Sequence, residues 1–329
     1  MKRLRILTWH VHGSYLYYLA HAPHDFYLPV RASGESGYTG RTASFPWPDN
    51  VHEVSAEDVR ELALDGILYQ HARHYLVDRH ALLSDRQLRL PQVYLEHDPP
   101  RGSPTDTLHP VQDRNVLLVH CTPFNRLMWD SGVTPTRVID HGVTVPEGAR
   151  YRGDLARGLV VINNLAQRGR RLGADVYARL QAELPLDLVG MGWAEVAGGV
   201  GEIPPRELPA FMAAYRFFFN PIRYTSLGLA ILEAMMVGLP VVGLATTELV
   251  TVIENGVSGY LATDPDELVG RAATLLADPA LARRLGDGAR RTATARFGID
   301  RFARDWSETL LDVMGGVRAP RLTSQELVL

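Results

Sequence analysis

The chain has 329 residues, of which 46% are hydrophobic and 22% are charged, and its formal net charge is −3. This length is enough for two domains with real hydrophobic cores, and the small net charge gives no overall basic field that would attract nucleic acid. Lys2 is the only lysine, which argues against chemistry that needs a buried lysine, such as pyridoxal phosphate anchoring or a P-loop. Phosphate must therefore be bound by arginine, backbone N–H groups or helix N-termini.

Cysteine usage and hydropathy give further limits. Cys121 is the single cysteine, which excludes disulfide frameworks and cysteine-based zinc sites. No apolar run approaches the roughly 20 residues that span a bilayer, and the first ten residues enter a strand pattern without the apolar core of a signal peptide. The most basic segment, residues 283–304, is interpreted as a solvated helix face. We therefore expect a soluble, cytoplasmic protein.

Strand and helix patterns alternate through the first half of the chain. A helix is predicted from Ser14, Ser55 is a predicted N-cap, and residues 31–50 form a long Gly-, Ser- and Pro-rich loop. The predicted strands are short, apolar and β-branched, as buried parallel strands are. They are Leu4–Trp9, Phe26–Val30, Ile67–Gln70, Val93–His97, Val116–Cys121 and Arg137–Asp140.

The alternation restarts after residues 141–153, which carry turn residues and no helical period and are interpreted as a linker. Helices are predicted over Arg171–Leu184 and Pro205–Tyr215, and the chain beyond Asp264 is largely helical, with a frayed tail over residues 318–329. The predicted strands are Leu159–Ile162, Leu186–Val189, Phe217–Asn220 and Val241–Leu244. Two alternating halves predict two doubly wound, Rossmann-like α/β domains that face a cleft.

The stretch from Thr225 to Val242, "TSLGLAILEAMMVGLPVV", is the most informative one. Thr225 and Ser226 are predicted to cap a helix whose start offers free N–H groups to an anion, and Gly228 lets backbone approach a ligand. Glu233, about two turns into the helix, is placed to accept two ribose hydroxyls. A glutamate that simply faces solvent is the alternative that the pattern leaves open.

The neighbouring residues resemble a known family. The segments "GLAILEAMMVGLPVVG", "TTELVTVIENGVSGYL" and "ARRTATARFGIDRFARDW" are similar to the signature of glycosyltransferase family 4, the group 1 retaining glycosyltransferases, whereas in the first half only "RVIDHGVTVP" matches. The resemblance implies the GT-B fold with a nucleotide-sugar in the cleft. It also implies an acceptor-binding domain at residues 1–146, a nucleotide-sugar-binding domain at 147–298, and a helix plus tail at 299–329 that returns to the first domain.

The resemblance also implies donor-side residues. Glu233 matches the second glutamate of the family's E-x7-E motif, which holds the ribose, while Thr225 replaces the first, which lies near the donor sugar. Asn164 replaces an arginine that faces the diphosphate, and Arg168 is the best match to the adjacent lysine, with Arg170 or Arg171 as alternatives. The predicted donor-binding residues are Glu233, Thr225, Ser226, Leu227, Gly228, Leu229, Asn164 and Gly192, and Arg168 is predicted to be catalytic. Thr246 and Thr247 replace two glycines of the family, and Glu248 keeps its acid.

Loop residues of the first domain complete the predicted site. His97 resembles the histidine that lines the acceptor side of the cleft and is predicted to be catalytic; the alternative is a strand-end histidine that bonds backbone groups. His12, Gly13, Asp98 and His71 are predicted on the acceptor or sugar side. The histidine spacings fit no closed zinc pattern, so we predict no metal.

These features together predict a retaining glycosyltransferase. It would move a sugar from a nucleotide-diphosphate sugar to a glycan, lipid-linked or small-molecule acceptor, with no cofactor and no nucleic-acid partner. Two alternatives stay open: a sugar-nucleotide epimerase on the same fold, and a catalytically weak nucleotide-sugar-binding protein. A nicotinamide dehydrogenase is disfavoured because "GMGWAE" lacks the final glycine of a dinucleotide fingerprint. Peripheral contact with the inner face of a membrane also stays open, as does stacking of the aromatic residues in "SYLYYL" and "SFPWPDN" on a glycan.

Overall fold

The structure, a computed structural model, describes residues 2–315. Its first half contains a seven-stranded sheet in the order β3-β2-β1-β4-β5-β6-β7, in which every pair of neighbours is parallel. The strands are β1 (Arg5–Thr8), β2 (Asp25–Val30), β3 (Val51–Ser55), β4 (Gly66–Tyr69), β5 (Gln92–Glu96), β6 (Val116–His120) and β7 (Thr136–Val138). The chain order reverses beside β1, which puts a topological switch point next to the loop that follows β1.

The second half contains a six-stranded parallel sheet in the order β10-β9-β8-β11-β12-β13. Its strands are β8 (Leu155–Val161), β9 (Leu186–Val189), β10 (Gly199–Gly201), β11 (Tyr215–Asn220), β12 (Val241–Leu244) and β13 (Gly259–Ala262). The central strands β9, β11 and β12 are buried along their whole length, as parallel strands covered on both faces must be. The prediction of two doubly wound α/β units is confirmed.

Helices cover both sheets and carry the apolar faces that close the cores. They are α1 (Gly13–Leu19), α2 (Arg79–Leu82), α3 (Pro123–Met128), α4 (Leu165–Arg168), α5 (Ala174–Glu183), α6 (Leu208–Met212), α7 (Leu229–Val237), α8 (Pro265–Ala277), α9 (Pro279–Phe297) and α10 (Ile299–Met314). Within residues 2–315, no helix combines the length and the apolar character needed to cross a bilayer.

Several predicted boundaries were wrong. The predicted helix over residues 205–215 is only α6, and Tyr215 is already the first residue of β11. The strands β3, β10 and β13 were missed, because β3 and β10 lie at sheet edges and carry polar residues or glycines where an apolar run was sought. Ser55 precedes a 3-10 turn but makes no capping hydrogen bond; its hydroxyl donates to Glu57 instead. The predicted frayed tail lies outside the described residues.

The chain crosses between the two sheets twice, and the crossings lie side by side. The first is the predicted linker, where Val143 donates its N–H to the carbonyl of Phe297 at 2.9 Å. The second is the junction of α9 and α10. Packing there is tight, because a Cβ at Gly142 would lie 2.1 Å from Cβ of Phe302. Beyond it, α10 lies against the first sheet's α1, where Trp306 donates its indole N–H to the Tyr15 hydroxyl at 3.2 Å.

Thr247 is held in a strained backbone conformation. Its φ is 52°, a left-handed conformation that costs a β-branched residue about 1–2 kcal/mol. We expect Thr247→Gly to raise the free energy of unfolding by about 1 kcal/mol, since glycine relieves the strain but loses some entropy on folding. Urea unfolding would measure this. Thr246→Gly is the matched control and should destabilise, because Thr246 has a φ of −137° and its hydroxyl donates to the Ile222 carbonyl at 2.8 Å.

Candidate active site

The start of α7 opens into the space between the two sheets. Its N-cap is Gly228, and no side chain among the described residues makes a capping hydrogen bond there. The prediction that Thr225 and Ser226 cap this helix is wrong, because the Ser226 hydroxyl contacts Cys121 Sγ at 3.1 Å. A Cβ at position 228 would meet only Ile231 Cδ1, at 3.8 Å. The first-turn N–H groups are therefore available to an anion.

Glu233 lies one turn further along α7 and is buried, with 9% of its surface exposed. This excludes the alternative of a solvent-facing glutamate. The hydroxyl of Tyr18, on α1 of the first domain, donates to Glu233 Oε1 at 2.7 Å. Burial raises the pKa of Glu233, and the hydrogen bond from Tyr18 opposes that rise. One carboxylate oxygen thus has a protein donor, and the described residues give the other none.

Glu233 forms part of the wall of a cavity of about 270 Å³. The cavity is lined from both halves of the chain by Tyr17, Tyr18, Phe45, Pro46, Thr144, Val145, Pro146, Pro205, Arg206, Pro209 and Glu233. Tyr17 and Phe45 stack with ring centroids 5.3 Å apart. Sequence analysis did not predict the hydrogen bond between Tyr18 and Glu233. The only indication of a role for Tyr18 was its place in the aromatic segment "SYLYYL". Sequence analysis also left open whether these aromatics bind a glycan or fill the core: Tyr15 is part of the core, whereas Tyr17, Tyr18 and Phe45 lie on the cavity wall.

A second corner of the site forms where β8 and β9 end. Asn164 has a φ of 54° and donates its N–H to the carbonyl of Met191 at 2.6 Å. Gly192 fits against it, because a Cβ at position 192 would lie 2.9 Å from Asn164 Oδ1. The carbonyl of Asn164 in turn accepts the N–H of Arg168 at 2.9 Å. The structure therefore brings these three predicted residues together.

Arg168 presents a half-buried guanidinium to the cleft. Within residues 2–315 this side chain has no hydrogen-bond or ion-pair partner. Burial lowers its pKa, the charge of Arg171 acts in the same direction, and Asp98 across the cleft opposes both. By contrast, Arg170 is exposed and ion-paired with Asp175 at 2.5 Å. Of the alternatives that the sequence left open, the pairing removes Arg170, while Arg168 and the neighbouring, half-buried Arg171 both lack a side-chain partner among residues 2–315; Arg168 is the one whose pKa responds to Asp98 of the first domain.

The histidines of the first domain converge at the opposite wall. The rings of His12 and His97 lie 4.2 Å apart, and His97 Nε2 lies 3.1 Å from Gln70 Oε1. Burial lowers the pKa of His97 well below its usual range, and the neighbouring His12 and His141 act in the same direction. The side chain of His12 is reached by solvent, but desolvation by the surrounding protein also lowers its pKa, against the carboxylates of Asp98 and Glu96. At neutral pH, His97 is therefore neutral, and its ring can donate one hydrogen bond and accept another.

The remaining predicted residues lie around this pair. A Cβ at Gly13 would lie 2.9 Å from both His10 Nε2 and the Phe45 ring, so a larger residue at the start of α1 would force these two rings to shift. His71 is exposed and accepts the N–H of Arg73 at 3.2 Å. Leu227 is buried and Leu229 is half-buried at the start of α7. Within residues 2–315, no three His, Cys, Asp or Glu side chains are arranged to hold a metal ion.

A charged cluster that sequence analysis did not assign closes the far end of the cleft. Glu248 is 1% exposed and accepts the N–H of Phe124, at the start of α3 in the first domain, at 2.9 Å. Arg296 contacts Glu248 at 3.1 Å and Asp140 at 2.8 Å. The arginine therefore joins a carboxylate from each half of the chain. Its only sequence signal was the arginine-rich segment that we interpreted as a solvated face.

Comparison with known proteins gives matches in sequence and in fold. Residues 171–278 match the family model described as "Glycosyl transferases group 1". This match lies within the second half of the chain. A D-inositol 3-phosphate glycosyltransferase of Salinispora arenicola (strain CNS-205) is 38% identical over 125 residues, which are 36% of this chain and 27% of the relative. A Streptomyces bingchenggensis (strain BCW-1) protein of the same name is 32% identical over 117 residues, 35% of this chain and 26% of its own. The chain thus spans about a quarter of these curated relatives.

Solved structures extend the likeness to the fold of nearly the whole chain. Sucrose-phosphate synthase from Thermosynechococcus elongatus superposes with a TM-score of 0.70 at 18% identity, over 96% of this chain and 100% of that one. Anabaena HepE, in complex with UDP and glucose, superposes with a TM-score of 0.67 at 18% identity, over 94% and 99% of the two chains. At this identity the match establishes the fold, and the predicted GT-B architecture is confirmed.

Proposed function

We propose that this protein is a retaining glycosyltransferase that uses a nucleotide-diphosphate sugar. The observation that carries the proposal is Glu233, a buried carboxylate on the wall of the inter-domain cavity, one turn beyond an uncapped helix start. The family match over residues 171–278 and the UDP and glucose bound by the structurally similar HepE support it. The acceptor is a hydroxyl of a glycan, a lipid-linked glycan or a small molecule.

The nucleoside fits the cavity beside Glu233. A carboxylate can accept hydrogen bonds from both hydroxyls of a ribose, and Glu233, which lines the cavity, has one oxygen that Tyr18 leaves without a donor. The stacked rings of Tyr17 and Phe45 give a flat apolar surface on which a nucleobase can stack. The nucleoside then contacts both domains, so binding it favours the closed arrangement of the cleft.

The diphosphate lies between the start of α7 and Arg168. The open N–H groups at Gly228 and Leu229 and the helix dipole favour negative charge. Arg168 has no other partner among the described residues, and a guanidinium can contact a phosphate with two parallel hydrogen bonds. These groups are fixed before the reaction and stabilise the charge that develops on the leaving group. We therefore expect activity without a metal ion or other cofactor.

The chemical step is a displacement at the anomeric carbon. The bond from this carbon to the β-phosphate oxygen breaks, and its electron pair leaves with the nucleoside diphosphate. The acceptor oxygen bonds to the anomeric carbon on the same face, and the acceptor proton passes to the departing phosphate oxygen. No protein nucleophile is needed, and neutral His97, with His12 beside it, orients acceptor or sugar hydroxyls. Closure of the two domains excludes water.

The decisive test is a thermal-shift panel with UDP, GDP, ADP, TDP and CMP, each with Mg²⁺ and with EDTA. Ligand that binds the native state raises the melting temperature. We expect one diphosphate to stabilise the wild type equally under both conditions and to lose most of this effect in Glu233→Ala. Glu233→Gln, which keeps an acceptor for Tyr18, controls for loss of packing and should bind more weakly than wild type.

Glu254→Ala is the matched control. Glu254 is exposed in the loop before β13, and its substitution should leave the nucleotide-induced shift unchanged. If no nucleotide stabilises the wild type, or if Glu233→Ala responds like wild type, the proposed donor site is wrong. Binding of a nucleotide-sugar with no transfer across an acceptor panel would instead favour a binding protein. Release of an altered sugar without an acceptor would favour an epimerase.

A further inference from the structure

Position 225 lies at the end of the loop that leads into α7, eight residues before Glu233. It carries a threonine, which can share a hydrogen bond but provides no negative charge. In the structure the Thr225 hydroxyl points across the cleft at Asp98 of the first domain, with 3.5 Å between Thr225 Oγ1 and Asp98 Oδ1. The carboxylate beside position 225 therefore comes from the opposite domain.

The loop that carries Asp98 is fixed on both sides. The Trp129 indole N–H donates to the Asp98 carbonyl at 2.8 Å, within the first domain. The Tyr224 hydroxyl, from the second domain, donates to the Pro100 carbonyl at 3.0 Å. Because Tyr224 is adjacent to Thr225, the same short segment of the second domain holds this loop and faces its carboxylate. The position of Asp98 is thus set before any ligand arrives.

The surroundings of Asp98 suit a polar, uncharged ligand. Its side chain is about three-quarters buried, and its other oxygen is ion-paired with the exposed Arg101. The negative charge of Asp98 raises the pKa values of both His12 and Arg168, so these two groups lie within its field. Asp98 therefore lies near both the proposed phosphate ligand Arg168 and His12. A carboxylate there can accept hydrogen bonds from sugar hydroxyls.

The proposed nucleotide position indicates that the sugar near Asp98 is the transferred sugar of the donor. If Glu233 holds the ribose and the start of α7 holds the diphosphate, the transferred sugar extends beyond α7 toward Thr225, Asp98 and His97. We propose that Asp98 is the carboxylate that binds hydroxyl groups of the transferred sugar, supplied by the first domain at the place where position 225 of the second domain has none. This inference rests on the proposed function. It makes sugar recognition depend on the closed cleft, because the residue that binds the sugar, Asp98, lies on the first domain, whereas Glu233 and Arg168, which bind the nucleotide, lie on the second.

The test compares binding of a donor with binding of its diphosphate by titration calorimetry, using UDP-glucose with UDP, GDP-mannose with GDP, and TDP-glucose with TDP. For the pair that binds the wild type, we expect Asp98→Asn to weaken donor binding roughly 30-fold, the loss of a charged hydrogen bond. Diphosphate binding should change less than about twofold, since Asp98 does not contact the phosphates. Asp106→Asn, an exposed acid in the next loop, should alter neither affinity.

A rescue variant separates a specific role from a structural one. In the Asp98→Asn background, Thr225→Glu returns a carboxylate to the same point from the second domain, and we expect donor affinity to recover about tenfold. In the wild-type background the same substitution should weaken donor binding, because two carboxylates would then face each other. Donor affinity unchanged in Asp98→Asn, an equal loss of donor and diphosphate binding, or no recovery in the double variant would each overturn the inference. If no diphosphate binds the wild type, the failure lies in the proposed function itself.

Discussion

Replacing Arg168 with glutamine should lower kcat/KM for donor cleavage by about 100- to 1,000-fold, the usual effect of losing one preorganised group that stabilises developing negative charge. The guanidinium is half-buried, has no partner among residues 2–315, and faces the cleft beside Asn164 and Gly192. Burial lowers its pKa, which indicates that the protein balances the positive charge of Arg168 only weakly. A bound diphosphate would supply the missing negative charge. The loss should appear mainly in kcat, because charge on the leaving group grows in the transition state.

Arg170→Gln is the matched control for this experiment. The two arginines are two residues apart, but Arg170 is exposed and already paired with Asp175. Donor cleavage should therefore remain within about twofold of wild type, as expected for loss of a surface ion pair. Release of nucleoside diphosphate, measured with a coupled assay, gives both rates. If Arg170→Gln impairs cleavage as much as Arg168→Gln does, the phosphate ligand is assigned to the wrong arginine.

Acidification from pH 7.5 to 5 should destabilise the folded protein by about 4 kcal/mol through His120 and His141 alone. Burial lowers the pKa of His120 to about 3 and that of His141 to about 4. An unfolded histidine titrates near its ordinary value of 6.5, so between that pH and the folded-state values the unfolded chain binds more protons. Stability is therefore full above pH 6.5 and falls as the pH drops toward 4, by about 2 kcal/mol per histidine at pH 5.

Urea unfolding at the two pH values measures this loss. His120 is fully buried on β6, and neither ring nitrogen has a hydrogen-bond partner among the described residues. His120→Leu should therefore keep or increase stability at pH 7.5 and reduce the acid-induced loss by about 2 kcal/mol. The control is His21→Gln, whose ring is on the surface. An unchanged pH dependence in His120→Leu would contradict a buried neutral histidine at this position.

The site shows what a local pattern can and cannot reveal. Glu233 was predicted as a donor ligand because a single acid interrupts an apolar helix between threonine and glycine signals, and Arg168 because it is close to a family position. Tyr18, which donates to Glu233, is 215 residues away in the chain, and no pattern within one segment connects the two. The predicted helix caps at Thr225 and Ser226 failed for the same reason, since Cys121 and Asp98 from the other domain contact these hydroxyls.

The sequence by itself determined the alternation of strands and helices and the two doubly wound α/β units, because apolar periodicity and turn residues act over a few neighbouring positions, and its resemblance to a known family predicted the GT-B architecture. Its composition also argued against lysine-based chemistry, because Lys2 is the only lysine. Only the tertiary structure decided which edge strands form, that Arg170 is paired while Arg168 is not, and which residues of the first domain face α7. Those outcomes depend on burial and on contacts between residues more than 100 positions apart, such as Arg296 with Asp140. Local sequence patterns do not reveal such contacts, because they form only when distant segments of the chain come together in the fold.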